Sequence, residues 1–203
     1  MKNFIFIFSL LFFSYNLFSQ ESIIQKEIGI TFYNLNNFGL TYKSGTNTSL
    51  WRFNTIFATG NNQKYTSDSV TTKQNSFGVG LRAGKEFRKL ITPKFELRYG
   101  VDLSFSVNQS KSKNIYLTAN KYETSQNITT YNPGLNLVFG FNYLLGDQLA
   151  LGIELMPGIS YSTGKYTQTV KTPSHFKTDK QDISNFSYGL NNQFAMLSLS
   201  YKF

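Results

Sequence analysis

The chain has 203 residues, 40% of them hydrophobic, with a formal charge of +9 and no cysteine. The length suits one domain with a leader. A mean hydropathy of −0.26 argues against a bundle of membrane helices, each needing about 20 apolar residues. Absent cysteine excludes disulfides, thiolate metal sites, a cysteine nucleophile and a lipid-anchored N-terminal cysteine.

In chain order, residues 1–19 read as a signal peptide. Lys2 supplies the positive start, Phe4 to Phe13 the apolar core and Ser19 a small residue before cleavage at Gln20. Ser14, Tyr15 and Asn16 end the apolar run too soon for a membrane anchor. Residues 20–203 are expected to form the mature domain.

The mature chain is dominated by period-two alternation, the mark of strands with two unlike faces. Phenylalanine (20) and tyrosine (13) are abundant, and both suit a pleated surface. Weaker strands are predicted near 26–33, 37–44 and 49–59. In 76–87, Phe77, Val79, Leu81, Ala83 and Phe87 oppose Gly78, Gly80, Arg82, Gly84 and Glu86. Phe95 to Asn108 alternates seven times, with Leu97, Tyr99 and Leu103 on one face and Glu96, Arg98 and Asp102 on the other. Similar patterns cover 134–145 and 149–162, and a last strand reaches Phe203.

Pro157 cannot donate to a ladder, so a bulge or broken pairing is predicted there. Residues 189–193 break the alternation of the last strand and predict a second irregularity.

Eight strands make an even number, as single-chain bacterial outer-membrane barrels require. Segments 45–48, 89–93 and 146–147 are expected as short periplasmic turns. Segments 60–75, 109–128 and 163–184 are polar and expected as long external loops, with a short external link near 34–36. The predicted fold is all-β: an eight-stranded antiparallel up-and-down transmembrane β-barrel, preceded by a signal peptide.

A lipocalin-like soluble barrel would also alternate, with its apolar face inward. Three features favour the inverted arrangement. The polar face is rich in small residues that fit a narrow interior. It carries charges of both signs: Arg52, Arg82, Arg88 and Arg98 with Glu86, Glu96, Asp102 and Glu154. Aromatics, including Trp51, Phe87, Phe95, Tyr131, Tyr143, Tyr161 and Phe203, gather near strand ends as interfacial girdles. Enclosed charges must pair. A register setting Arg82 opposite Asp102, Glu86 opposite Arg98 and Arg88 opposite Glu96 would pair them, making a structural plug of salt bridges.

The C-terminal run from Ala195 to Phe203 places Leu197, Leu199, Tyr201 and Phe203 on one face. It resembles the terminal assembly signal of Gram-negative outer-membrane proteins. With the leader and eight strands, the mature chain is similar to the outer membrane protein β-barrel domain superfamily. The resemblance implies location in the cell outer membrane and recognition of the C-terminal strand by the barrel-assembly machinery.

The functional expectation is a structural or interaction barrel without enzymatic activity, metal or cofactor, and with no peptidoglycan-binding domain after its last strand. The alternatives are a narrow channel or secretion accessory, and a lipid A-modifying enzyme. Only His175, near Asp179 and Asp182, hints at the last, and it carries no recognisable active-site motif. The lysines are scattered among polar segments, so nucleic acid is not an expected partner. Membrane lipid and lipopolysaccharide are, with Lys64, Lys73, Lys111, Lys113, Lys121, Lys165, Lys171, Lys177 and Lys180 near the outer rim.

Overall fold

The computed structural model describes residues 24–34, 37–117, 122–190 and 195–203, so the proposed leader and cleavage site lie outside the described residues. The described chain is antiparallel β structure throughout. Its strands are β1 (Gln25–Asn34), β2 (Asn37–Thr46), β3 (Ser49–Thr66), β4 (Val70–Thr92), β5 (Phe95–Tyr116), β6 (Tyr122–Leu144), β7 (Leu149–Leu155), β8 (Gly158–Lys171), β9 (Phe176–Gly189) and β10 (Ala195–Lys202).

Eight of these close a ring. β1 through β6 pair in sequence, β6 pairs β7, β7 pairs β10, and β10 returns to β1. The seam joins the first strand to the last: Phe203 N donates to Lys26 O at 2.9 Å, and Lys26 N donates to Phe203 O at 3.2 Å. Closure satisfies every strand edge at that level, the only way a sheet can face lipid.

Alternation turns inside out across the wall. Along β1, Glu27 and Thr31 are buried while Ile28, Ile30 and Phe32 are exposed. Along β5, Glu96, Arg98 and Asp102 are buried and Leu103 is 67% exposed. A water-soluble barrel would show the reverse. The exposed apolar band therefore faces hydrocarbon, and the buried polar face fills the lumen. Aromatic pairs stabilise one rim, with Phe87 stacked on Tyr99 at 5.7 Å and Phe95 edge-on to Tyr143 at 5.1 Å. Lys85 shares the outer face, its ammonium 4.9 Å from the Trp51 ring centroid.

The interior is tight enough to demand glycine. A Cβ on Gly84 would lie 2.1 Å from both Val101 O and Asp102 Oδ1, so no larger residue fits between β4 and β5.

The external loops are corrected. Segments 60–75, 109–128 and 163–184 are largely paired strand, reaching Thr66, Tyr116 and Lys171 before turning. The links shrink to 67–69 and 172–175, while the third includes residues 118–121, outside the described set. These segments carry threonine and tyrosine, which suit strands. Both of their faces are polar, so no apolar alternation marks them. Beyond the membrane band, the outer halves of β3, β4, β5 and β6 join β8 and β9 in one curved sheet. The tip between β1 and β2, at 35–36, lies outside the described residues.

The irregularity predicted at Pro157 is present, while most of the second, at 189–193, lies outside the described residues. The seventh transmembrane strand divides at Met156 and Pro157 into β7 and β8. Leu137 N donates to Pro157 O at 2.8 Å, but proline has no N–H to return the second bond of that pair. Across from it, Leu155 faces Ala195 while Gly158 faces Gly189. Gly189 ends β9 with φ +131°, a conformation that favours glycine.

Candidate functional site

The lumen of the ring holds ten buried ionisable side chains among the described residues. Five are cationic (Lys43, Arg52, Arg82, Arg88, Arg98) and five acidic (Glu27, Glu86, Glu96, Asp102, Glu154). Alternation puts them there: each occupies the inward position of its strand, and six of the eight ring strands contribute.

Glu86 on β4 is the hub. Its carboxylate receives Lys43 Nζ at 2.8 Å, Arg52 Nη1 at 2.9 Å and Arg88 Nε at 2.6 Å, with Arg98 Nη1 at 3.6 Å. Arg52 crosses the barrel from β3 to grip Glu154 on β7 with two bonds, at 2.8 and 3.1 Å. Its Nε lies 3.3 Å from Asp102 Oδ2. Arg98 adds a second contact to Glu154, at 3.1 Å. Nearer the end bearing the termini, Arg88 holds Glu27 through two bonds of 2.6 and 2.7 Å and approaches Glu96 at 3.5 Å. Asn142 donates to Glu96 at 2.7 Å. Planar guanidinium forks matched to carboxylates suit such dense enclosure better than lysine would.

A small apolar cluster adjoins the ionic one. Met156, Val138 and Met196 are fully buried and pack together. Arg82 Nη1 lies 3.0 Å from the Met156 sulfur and 3.9 Å from that of Met196. Uncharged polar side chains complete the filling, with Thr41 donating to Asn54 at 2.6 Å and Asn136 to Ser104 at 3.1 Å.

All eight lumen charges named from the sequence are buried in this interior, but their expected register is corrected. Arg82 faces Ser104, Gly84 faces Asp102, and Arg88 faces Arg98. The turn is Pro93-Lys94, and β4 runs on to Thr92 with an irregularity at Leu90–Thr92, shifting the pairing by two residues. Two of the three predicted pairs persist as diagonals, Glu86 with Arg98 and Arg88 with Glu96. Asp102 instead meets Arg52.

Sequence reasoning missed Glu27 and Lys43. The signal was present: Glu27 alternates with Ile28 and Ile30, and Lys43 follows Thr41 on the face opposite Leu40 and Tyr42. The C-terminal residues Leu197, Leu199, Tyr201 and Phe203 all point outward, alternating with buried Met196, Ser198 and Ser200. His175 lies in the hairpin link between β8 and β9, exposed, its carbonyl accepting from Thr172 N at 2.8 Å.

The chain matches no protein-family model and no curated protein. Solved structures of similar shape include CarO2 of Acinetobacter baumannii, at 9% identity over 91% of this chain and 100% of that one, with a TM-score of 0.41. A major outer membrane protein from Thermus thermophilus aligns at 12% identity over 89% and 100%, TM-score 0.36. Ail, the attachment invasion locus protein of Yersinia pestis, aligns at 14% identity over 89% and 95%, TM-score 0.32. The architecture rests on the closed antiparallel ring, the apolar exterior and the ionic interior. A chain so built is a transmembrane β-barrel, and its even ring of eight strands is that of a small bacterial outer-membrane protein.

Proposed function

We propose that this barrel is a non-conducting structural and interaction protein, anchored by its ring and working through the sheet it raises outside the membrane. The observation that carries this reading is the filled lumen. Arg52 reaches across the interior to Glu154, and the cluster of Met156, Val138 and Met196 packs beside the ionic filling. An eight-stranded ring is just wide enough to be filled by side chains, and these fill it.

Planar-bilayer recording tests the reading. Purified protein should insert without unitary current steps in molar salt. Reproducible steps would instead make it a narrow channel.

We further infer that the barrel-assembly machinery engages the last strand through its outward aromatic and aliphatic face. Tyr201 and Phe203 stack at 6.4 Å on that face, beside the seam with Lys26. Phe203→Ala should lower the assembled, heat-modifiable fraction in membranes severalfold. Its unfolding midpoint, once folded in detergent, should move less, because the backbone bonds between Phe203 and Lys26 survive the change to alanine. Unchanged assembly in cells would remove the assignment.

A further inference from the structure

The register of the external sheet places like charges in direct opposition. Lys64 on β3 faces Lys73 on β4, which faces Lys113 on β5. Lys111, two residues along β5, faces Asn75 and Asn127. Continuing the alternation outward from Leu81, Leu103 and Leu137 puts these lysines on the outward face, the one that meets lipid lower in the barrel. An open groove of about 490 Å³ lies there, and Lys73, Lys111, Lys113, Asn75, Asn127 and Thr169 line it.

Like charges set directly opposite each other on neighbouring strands destabilise the pair. Among the described residues one carboxylate answers the row: Glu123 receives Lys113 Nζ at 2.7 Å, with both side chains partly exposed. That hydrogen bond, followed by the fields of Lys113, Lys171 and Lys73, holds the Glu123 carboxyl below its usual range. The ten lumen charges cancel, so the positive excess of the described residues lies outside the lumen. A cationic row with so little internal neutralisation is complementary to an anion.

The surrounding residues narrow the anion's class. Between the lysines stand amides and hydroxyls (Asn62, Asn75, Asn127, Ser125, Thr167, Thr169), which bond sugar hydroxyls. Position narrows it further. Lys73 lies four residues beyond the exposed Phe77, about 13 Å further along the strand. With the apolar band in hydrocarbon, that height on the outward face corresponds to the headgroups of the surrounding leaflet.

We propose that the Lys64–Lys73–Lys113 row, with Lys111 and the neighbouring amides, is a binding site for the phosphorylated saccharide headgroup of lipopolysaccharide. The site rests on the outer-membrane reading, because only that leaflet supplies such headgroups. Charge-assisted bonds from the ammonium groups hold the phosphates, and the amides and hydroxyls hold the sugar.

The test uses the full barrel in nonionic detergent, titrated calorimetrically with deacylated, water-soluble lipopolysaccharide. The groove variant is Lys73→Gln/Lys111→Gln/Lys113→Gln. The control, Lys26→Gln/Lys89→Gln/Lys94→Gln, removes as much charge at the opposite end. Groove substitution should weaken binding by at least about tenfold, and the control by less than about twofold. Wild-type protein should bind the dephosphorylated saccharide at least about tenfold more weakly. Equal loss in both variants, or equal binding of the dephosphorylated saccharide, would overturn the site. So would inorganic phosphate alone binding as tightly as the saccharide. Heat-modifiable migration separates the two levels of claim. A folded barrel that fails to bind sinks the site alone, whereas loss of heat modifiability in the wild type sinks the membrane-barrel reading. The dephosphorylation comparison needs no variant and stands even if the groove variant does not fold.

Discussion

Glu86→Ala should cost about 3–5 kcal/mol of folding stability, among the largest effects of any single substitution in this chain. The hub carboxylate is fully buried and accepts from Lys43, Arg52 and Arg88. Removing it leaves three cations, with Arg98 close behind, buried together without their shared anion. The cost is that of stranding charges rather than the net worth of the pairs, so a compensating change should recover part of it. Lys43→Met in the Glu86→Ala background should give a double variant less damaged than the sum of the singles. Equilibrium unfolding in denaturant, read by tryptophan fluorescence from lipid vesicles, measures both. A loss under about 1 kcal/mol for Glu86→Ala would show that the network relaxes around a missing hub, against the low-dielectric argument.

The second large effect lies on the other side of the wall. Leu137 on β6 points outward, 44% exposed, six residues from Tyr131 and six from Tyr143 at the two rims. It thus stands near the middle of the apolar band. Leu137→Arg should destabilise the inserted barrel by about 2–4 kcal/mol, the cost of a guanidinium at the centre of hydrocarbon. In a water-soluble protein, an exposed leucine changed to arginine would be nearly neutral. The same unfolding assay therefore decides which solvent that face meets. A neutral outcome would overturn the membrane orientation, and the lumen reading with it.

How much of this was legible in the sequence depends on what each feature needs in order to show. Inversion of the faces was readable along Phe95 to Asn108, because apolar and polar residues alternate there without a break. The breaks at Pro157 and Gly189 were readable too, since proline lacks a donor and the run Gly-Leu-Asn-Asn-Gln stops alternating. The register of β4 on β5 was not. A slip of two residues returns every side chain to its own face, so hydrophobicity cannot distinguish Gly84 from Arg82 as the neighbour of Asp102. The tight Pro93-Lys94 turn decides it. The length of the outer strands was hidden for a related reason. Gln63, Gln74, Ser112 and Gln126 form one cross-strand row on the inward face, while lysines stand on the outward one. Both faces are polar, so a paired strand reads like a loop. Glu27 and Lys43 lay in strands whose patterns were weak, and only ring closure brings them to Arg88 and Glu86.

Charge balance in the lumen bears on how the protein responds to voltage. One elementary charge moved across 100 mV gains or loses about 2.3 kcal/mol. With five positive and five negative groups locked together, the filling as a whole has no net charge for an electric field to pull on. A Donnan potential across the envelope, rising or falling with external salt, would strain individual pairs in opposite directions and leave the ensemble in place. The interior is electrically silent, and the barrel can hold its shape through osmotic and ionic swings that would bias a charged gate.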